Sequence, residues 1–445
     1  MTASPDPAAL LAAHVANASF ADLPDATVAA TKRDLLDTLG CALGGSGAPG
    51  IAEMLRLYRR WGGREECRLL LAGGGLPAPQ AAFIHAAMAH ALDFDDTFDR
   101  GGHIHPGAPV FAAALAMADL LDDAHGRDVV LAATLGLDVA CRIALAATMD
   151  RGWHRTALIG VFGATAVAGK LLKLTTEQMH HAFGIAYSQA AGNRQCIVDA
   201  ALTKRLQAGQ AASAGVFSAL LAAEGFTGAQ GVFAGRYGFF EMYQPGGYDL
   251  APLTEDLGQA WRGDGMSFKP YPCGRPLHAA IDAAIALHGP DITDVTVSGP
   301  APLIAEYFHG PAHKRAPTQI VEAQFALPFL LAAGLIHGRV GIDDVARFDD
   351  PAVLALAARI HGEVRPGPVE ITVRRANGNT ETRAAALALG SPGNPMSPAQ
   401  MLAKFQDNAA HAIRPIADDT IAATVAFMSD LDRQPDLRWL SAQLG

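Results

Sequence analysis

The sequence has little charge, and none of it is gathered into a basic segment. Asp, Glu, Lys and Arg make up 18% of the 445 residues, and the formal net charge is −10. Proteins that bind nucleic acid normally carry a basic surface, so we expect no nucleic-acid partner. The same net charge would repel an anionic ligand, which would therefore need a local cationic pocket. So little charge also indicates surface that is covered by a second subunit.

Cysteines are few, and segments that mark export or membrane insertion are missing. The five cysteines are scattered, and none forms a CxxC pair. This pattern argues against a disulfide framework or a cysteine zinc site and indicates reduced thiols in a cytoplasmic protein. The N-terminal stretch has no basic region before its apolar run, so we expect no signal peptide. In the most hydrophobic segment, residues 129–147, Asp138 and Arg142 are spaced as an ion pair on a buried helix, so we expect no membrane span.

What the sequence does contain points to helices. Alanine dominates the apolar residues and β-branched runs are few, which favours helices packed through small side chains. Strand-like runs begin at Asp291 and Val369, and Asn377-Gly378 follows the second one as a hairpin signal. We therefore predict a mainly α protein with a large all-helical domain formed by both chain ends and a smaller α+β lid domain. The predicted bounds are residues 1–263 and 397–445 for the helical domain and 264–396 for the lid.

One polar stretch, HALDFDDTFDRGGHIHP, concentrates four acids and three histidines where an alanine-rich helix is expected to end. Asp95, Asp96 and Asp99 spell DDxxD, which holds magnesium in helical terpenoid enzymes, but we see no second acidic motif. His103 and His105 have an HxH spacing that can bind zinc or iron, without a convincing third ligand. Acids that cap helices and histidines that bond loop carbonyls would give the same pattern. The stretch alone leaves a metal site, a proton-transfer site and a structural loop open.

Further polar residues lie in small-residue or proline-containing segments elsewhere. Lys204 lies at the start of a predicted helix, where its charge opposes the helix dipole unless an anion is near. Each of these residues also has a structural interpretation, as a surface side chain or part of a hinge. Together they supply histidines for proton transfer and cations for carboxylates, without a cofactor fingerprint, as acid–base chemistry on a small polycarboxylate requires. The residues concerned are His154, Arg194, Lys204, Lys269, Arg275 and His278.

In their order along the chain, these segments resemble the MmgE/PrpD family, which includes 2-methylcitrate dehydratase, cis-aconitate decarboxylase and iminodisuccinate epimerase activities. The resemblance implies a helical domain made from both chain ends, a lid domain, a homodimer, and catalysis without metal or organic cofactor. It covers nearly the whole chain and is carried by DLLDTLGCALGG, HALDFDDT with HPGAPV, GWHRT, TKRLQAGQAASAG, FKPYPCGRPLHAAIDA, AQFALPFLLAAGL and GNPMSPAQMLAKF.

The resemblance also implies roles for individual residues. The segment between Thr97 and His105 is slightly longer than in the decarboxylase, so His103 competes with His105 for its role. Phe329 stands where many relatives have tyrosine, which argues against a direct transfer of the decarboxylase activity. We expect the catalytic residues to be Asp93, His105, His154, Lys204 and Lys269. We expect the substrate-binding residues to be Thr97, His103, Arg194, Arg275 and His278.

The expected chemistry is negative charge that develops next to a carboxylate. Lys204 and Lys269 would hold that charge, and His105 or His154 would move the proton. Loss of hydroxide then gives a dehydratase, reprotonation on the other face an epimerase, and formation of the intermediate by loss of CO₂ a decarboxylase. We expect a cofactor-independent lyase, first of all a dehydratase of the 2-methylcitrate or citrate type. The alternatives are an epimerase or isomerase of a dicarboxylic acid, a cis-aconitate-type decarboxylase, and a non-catalytic dimeric binding protein.

Overall fold

The structure is a computed structural model that describes residues 6–121 and 123–445. Residues 1–5, which belong to the N-terminal stretch considered above, lie outside the described residues. Helices account for 56% of the structure, and the sheets are small, so the prediction of a mainly α protein is confirmed.

The regular secondary structure up to residue 263 is almost entirely helical. Its helices are α1 Pro7–Asn17, α2 Asp25–Gly45, α3 Ile51–Trp61, α4 Ala78–Ala89, α5 Gly107–Leu120, α6 Gly126–Ala146, α7 Arg155–Leu171, α8 Thr176–Tyr187, α9 Gln195–Val198, α10 Thr203–Ala223, α11 Phe239–Tyr243 and α12 Ala251–Thr254. Two short antiparallel strands, β1 Cys67–Arg68 and β2 Gly75–Leu76, lie between α3 and α4.

The rest of the chain mixes helices and strands before it returns to helices. The mixed part contains α13 His278–Ala286, β3 Ile292–Gly299, α14 Ala301–Leu303, α15 Ile320–Ala323, α16 Leu327–His337, α17 Ile342–Ala346, α18 Pro351–Ala357, β4 Ile360–Val364, β5 Val369–Arg375 and β6 Thr380–Ala385. The final helices are α19 Pro398–Ala410, α20 Asp418–Ser429 and α21 Arg438–Leu444.

Both chain ends contribute to one large hydrophobic core. This core contains buried side chains from α1 to Phe268 and again from Phe405 to Leu444. α19 packs against α2, where a Cβ on Gly40 would lie 2.8 Å from the ring of Phe405. A second core is built from residues 271–373. The exact domain boundaries given above stay a prediction.

Helix α10 packs against both α4 and α7. Small residues make this possible, as the sequence predicts. A Cβ on Gly215 would lie 2.5 Å from the Cβ of Ala164, and a Cβ on Gly209 would lie 2.6 Å from the carbonyl oxygen of Phe83. Side chains at these positions would force the helices apart, so α10 is held at a fixed distance from its neighbours.

The larger sheet has the strand order β4-β3-β5-β6. β3 pairs antiparallel with β5, and β5 with β6 across the predicted Asn377-Gly378 turn, which confirms the hairpin. β4 pairs parallel with β3 and is not evident in the sequence, since only its first residue is buried. α13 packs against β5 and β6 and brings the segment before it, which contains Lys269, to the edge of the helical part.

The predicted charge pair in the most hydrophobic helix is present and buried. Nε of Arg142 donates to a carboxylate oxygen of Asp138 at 2.7 Å inside α6. By length and composition alone, α6 and α10 could span a membrane. Their most apolar stretches are 94% and 61% buried inside the protein. All five cysteines are free and buried, as expected.

Candidate active site

The acidic stretch forms a fixed turn after helix α4. The prediction that its acids end the helix is wrong, because α4 stops at Ala89 and Asp93 follows with a φ of +53°. A non-glycine residue keeps this left-handed conformation only when its surroundings hold it. Two ammonium groups do so: Nζ of Lys269 donates to the Asp93 carbonyl at 2.9 Å, and Nζ of Lys404 donates to the Phe94 carbonyl at 2.8 Å.

The Asp93 side chain joins two lysines. Nζ of Lys204 and Nζ of Lys269 each lie 3.0 Å from Asp93 Oδ1, and all three side chains are buried. Burial alone would raise the pKa of Asp93, but the two ammonium groups bring it well below its usual value. Asp93 is therefore ionised. Its second oxygen, Oδ2, has no hydrogen-bond partner among the residues that the structure describes.

His90 links this cluster to Asp95. Its Nδ1 lies 2.8 Å from Asp95 Oδ2, and its Nε2 lies 2.8 Å from Nζ of Lys204. Burial, followed by the charge of Lys204, lowers the pKa of His90 well below the ordinary value. Sequence reasoning assigned His90 no role. The available signal was its position three residues before Asp93, at the end of the alanine-rich helix.

His105 presents an unprotonated nitrogen to the site. Its Nδ1 lies 2.6 Å from the carbonyl oxygen of Asp96, which can only accept, so Nδ1 carries the proton. Nε2 is left with a lone pair, 4.0 Å from Asp93 Oδ1. Burial and the charge of Lys269 lower the pKa of His105 well below the ordinary value, so the ring is neutral near pH 7. The Oγ1 of Thr156 fixes the backbone by accepting the His105 N–H at 3.1 Å.

His154, at the start of α7, has the same arrangement. Its Nδ1 lies 3.1 Å from Oε1 of Gln207, and that oxygen also accepts the backbone N–H of Asn193 at 3.0 Å. The second bond fixes the orientation of the amide, so His154 must donate from Nδ1 and keep its lone pair on Nε2. Burial lowers the pKa of His154 well below the ordinary value. Both histidines therefore present an unprotonated Nε2.

Arg275 borders the cavity, and all its N–H groups have partners. Its Nε and Nη2 donate to the carboxylate of Asp99 at 3.1 and 2.9 Å. Burial alone would raise the pKa of Asp99, but hydrogen bonds from His103 and Arg275 hold it below its usual value. Its remaining N–H groups face Ser391, the Leu389 carbonyl and His278. A substrate carboxylate would have to displace one of these partners, so substrate binding by Arg275 stays a prediction.

Arg194 and His103 lie farther out. Nη2 of Arg194 lies 2.8 Å from Asp150, its Nη1 lies 3.9 Å from Glu306, and its side chain is 36% exposed. His103 is 45% exposed and lies 3.2 Å from Asp99. Both groups border the cavity but are held only by exposed or half-exposed partners.

Three predicted residues lie behind the cavity wall. Thr97 is buried and directs its hydroxyl to Asp99 at 3.5 Å, and His278 is buried beside Arg275. Lys269 is fully buried and reaches the cavity only through Asp93. Direct contact with a substrate stays a prediction for all three. His278 and Lys269 contact Arg275 and Asp93, which border the cavity, whereas Thr97 contacts Asp99, which is not among the bordering residues.

The tyrosine missing at position 329 does not leave a gap in the site. Phe329 is fully buried in the second hydrophobic core and does not border the cavity. Phe325 and Tyr307 do border it, so a phenol is present from another position. The departure at Phe329 therefore does not itself argue against a decarboxylase.

A buried layer of carboxylates backs the turn. Asp34 and Asp37 of α2 lie behind Asp95 and Asp96, and Nζ of Lys404 pairs with Asp37 at 2.6 Å. Burial and the neighbouring Asp37 raise the pKa of Asp34 to about 8. Sequence reasoning missed this layer, because the contact between α2 and α19 is a tertiary one.

The cavity itself is small and bordered by most of the predicted residues. Its volume is about 210 Å³, below the range of about 300–1,000 Å³ typical of drug-sized ligands, which suits a small organic ligand. The predicted residues that border it are Asp93, His103, His105, His154, Arg194, Lys204 and Arg275.

The site also contains atoms able to bind a metal. Donor atoms of His90, Asp93, Asp95 and His105 lie within 4.8 Å of one another. However, Lys204 already bonds both His90 and Asp93, and a divalent cation there would face ammonium groups at close range. The donor set therefore fits protons and ammonium groups better than a metal ion.

The three carboxylates of the DDxxD motif considered from sequence do not converge on one point. In DDxxD, Asp95 turns to His90, Asp96 accepts the Gly107 N–H at 3.0 Å, and Asp99 pairs with Arg275. The carboxylates thus face three different partners instead of one ion.

Comparison with known proteins gives matches along most of the chain. The MmgE/PrpD N-terminal domain model matches residues 9–250, and the MmgE/PrpD C-terminal domain model matches residues 271–430. Cis-aconitate decarboxylase of Aspergillus terreus is 27% identical over 371 residues, covering 77% of this chain and 75% of the relative. The cis-aconitate decarboxylases of Mus musculus and Homo sapiens are each 25% identical, covering 95% of this chain and 90% and 91% of the relatives.

Proposed function

The chain belongs to the MmgE/PrpD family, and on that basis we propose that it is a lyase that removes CO₂ from a small unsaturated tricarboxylate of the cis-aconitate type. The observation that carries the proposal is the meeting of the Lys204 ammonium with the lone pairs of His105 and His154 at one small cavity. Relatives that are enzymes of this kind support the decarboxylase alternative, and they give no specific support to the dehydratase expected first.

Substrate binding would begin with charge. An ammonium group has three N–H donors, and Lys204 uses two of them on His90 and Asp93. The third is available to a substrate carboxylate, and a charge-assisted bond of this kind is about twice as strong as a neutral one. Arg194, which also borders the cavity, would supply a second cation once the substrate displaces its partners Asp150 and Glu306.

Binding of a trianionic substrate would also be coupled to the uptake of a proton by the protein. Opposite charge near an imidazole favours its protonated form, so the bound substrate would raise the pKa of His105, which is neutral in the free protein. Asp93 Oδ1, 4.0 Å from Nε2 of His105, would stabilise the imidazolium. His154 lacks a carboxylate at this distance among the described residues, so we assign the proton to His105.

The chemical step conserves atoms and charge. The bond between the CH₂ carbon and its carboxylate breaks, CO₂ leaves, and the electron pair forms a new CH₂=C double bond. The former double bond places its electrons on the carbon next to another carboxylate, where Lys204 offsets the charge. The proton on His105 Nε2 then forms the new C–H bond, giving 2-methylidenebutanedioate, and His105 is again neutral.

The test is proton NMR of the protein after EDTA treatment, with cis-aconitate, citrate, 2-methylcitrate and aspartate-derived diacids. New CH₂= signals with release of CO₂ from cis-aconitate would support the proposal and metal independence. Water loss from citrate or 2-methylcitrate would establish the dehydratase instead, and deuterium exchange without net change the epimerase. Calorimetric binding of these acids without turnover of any would favour the non-catalytic binding protein.

We also propose that two copies of the chain associate. Leu202, Leu206 and Phe217 lie on one side of α10 and are 40%, 37% and 46% exposed. Burial of such a stripe in a symmetric interface would stabilise a homodimer. Light scattering of wild type and Phe217→Glu tests this. A wild-type monomer would overturn the proposal, and a dimer that persists in the variant would move the interface elsewhere.

A further inference from the structure

We propose that His90 is a positioning residue that, held by Asp95, aims the Lys204 ammonium into the cavity. The three side chains form a buried chain from Asp95 Oδ2 through His90 to Nζ of Lys204, with both distances 2.8 Å. This role deepens the proposed function, because it rests on Lys204 as the group that meets the substrate carboxylate.

Hydrogen-bond chemistry fixes the state of His90. An ammonium group can only donate, so His90 Nε2 must accept from Lys204 and carry no proton. In a neutral imidazole the proton then lies on Nδ1, where Asp95 Oδ2 accepts it. Burial of the ring favours this neutral form. Asp95 thus selects the tautomer that His90 needs in order to hold the lysine.

The arrangement determines where the third N–H of Lys204 points. His90 Nε2 and Asp93 Oδ1 hold two of its donors at 2.8 and 3.0 Å, and the side chain borders the cavity. Without His90, the flexible four-carbon stem would be held by Asp93 alone. Lys269 shows the difference, since it bonds the carbonyl and carboxylate of Asp93 and does not border the cavity. The bond to the His90 imidazole therefore distinguishes Lys204, which faces the cavity, from Lys269, which does not.

Two substitutions separate the two hydrogen bonds of His90. The His90→Asn side chain can reach Asp95 but is too short to accept from Lys204. The His90→Gln side chain places an amide oxygen near the position of Nε2 and can accept from Lys204. We expect His90→Asn to lower kcat about 100-fold, as a displacement of about 1 Å of a reacting group does, and His90→Gln to recover at least about tenfold of that loss. Equal losses, or full activity in both variants, would overturn the proposal.

A measurement that does not depend on turnover covers the case in which the variants fail to fold. In wild-type protein with ¹⁵N-labelled histidine, the two-bond ¹H–¹⁵N spectrum reports which ring nitrogen carries the proton. The His90 signals are assigned in the wild-type protein itself, through correlations that link the ring to the His90 backbone, so that no folded variant is needed. We expect a neutral ring protonated at Nδ1 near pH 7, whereas protonation at Nε2 or at both nitrogens would overturn the proposal. If wild type turns over none of the acids, the proposed function fails, and this spectrum still decides the state of His90.

Discussion

The inner wall of the cavity and its mouth use similar residue types but hold them differently. The inner wall consists of Asp93, His105, His154 and Lys204, and the mouth of His103, Asp150, Arg194 and Tyr307. Side chains of Lys204 and His105 are 7% and 9% exposed, whereas those of Arg194 and His103 are 36% and 45% exposed. The side chains of the inner wall are hydrogen-bonded to a buried turn. Arg194 and His103 of the mouth pair with partly exposed carboxylates, so water can compete for these ion pairs.

From this difference we infer that the inner wall carries the chemistry and the mouth the recognition of the substrate. A buried histidine has its pKa moved well below the ordinary value, as in His105 and His154, and becomes a neutral group that responds to the charge of a ligand. Exposed ion pairs are worth little and exchange readily, which suits a residue that must release its partner for a substrate. We expect changes in the inner wall to act on kcat and changes in the mouth to act on KM.

Loss of Lys204 should give the largest effect. We expect Lys204→Met to lower kcat by about 10³-fold, because it removes the one ammonium group of the described residues that both borders the cavity and contacts Asp93. Steady-state kinetics on the true substrate measures it, with thermal melting to show that the variant folds. The exposed Lys173→Met is the matched control, and equal kinetics in the two variants would remove the inner wall from the mechanism.

The pH dependence of the rate should show the next largest effect. Because the pKa of His105 is lowered, its ring is neutral in the free protein at neutral pH. The proposed reaction needs the protonated ring. As pH rises above 7, kcat/KM should fall about tenfold per unit, and kcat, which reports the substrate complex with its raised pKa, should hold to higher pH. Initial rates from pH 6.5 to 8.5 test this. A kcat/KM that rises with pH would show that the neutral histidine acts as a base.

A substitution at the mouth should have a smaller effect, and on KM rather than on kcat. We expect Arg194→Gln to raise KM about fivefold with kcat nearly unchanged, because a half-exposed cation contributes roughly 1 kcal/mol to binding a carboxylate. The exposed Arg100→Gln serves as the control. A loss confined to kcat would show that Arg194 acts with the inner wall.

The carboxylate layer behind the inner wall should affect stability rather than catalysis. Asp34 has a pKa raised to about 8, so the folded state keeps a proton that the unfolded chain releases above its ordinary value of 3.8. Stability should therefore fall as pH rises from about 4 to 8. Asp34→Asn removes this dependence, and we expect its Tm to exceed that of wild type by roughly 2 °C at pH 8 and by less at pH 5. A lower Tm at both pH values would show that the carboxyl group is needed.

The sequence supports a good part of this picture. The helix around Lys204, the hairpin after β5 and the residues of the inner wall were all predictable, because periodicity, turn residues and family motifs are local signals. Phe329 misled, since the pattern could not show that its side chain enters the core rather than the cavity. β4 has an exposed, polar pattern and becomes a strand only by pairing with β3.

The rest depends on contacts between distant parts of the chain. The role proposed for His90 depends on its contact with Lys204, 114 residues later. The state of Asp37 likewise depends on its ion pair with Lys404 of α19. The engagement of Arg275 by Asp99 likewise joins segments 176 residues apart. A single sequence shows which side chains are polar, but not which of them are already satisfied by a partner.

The most direct measurement compares His105→Gln with His103→Gln, the neighbouring histidine of the mouth, in turnover of cis-aconitate. We expect His105→Gln to lower kcat by at least about 100-fold and to abolish the fall of kcat/KM with pH, because it removes the proton donor. We expect His103→Gln to change kcat less than about threefold, since an exposed pair contributes little. Near-wild-type turnover by His105→Gln, or a larger loss in His103→Gln, would show that the inner wall does not carry the proton.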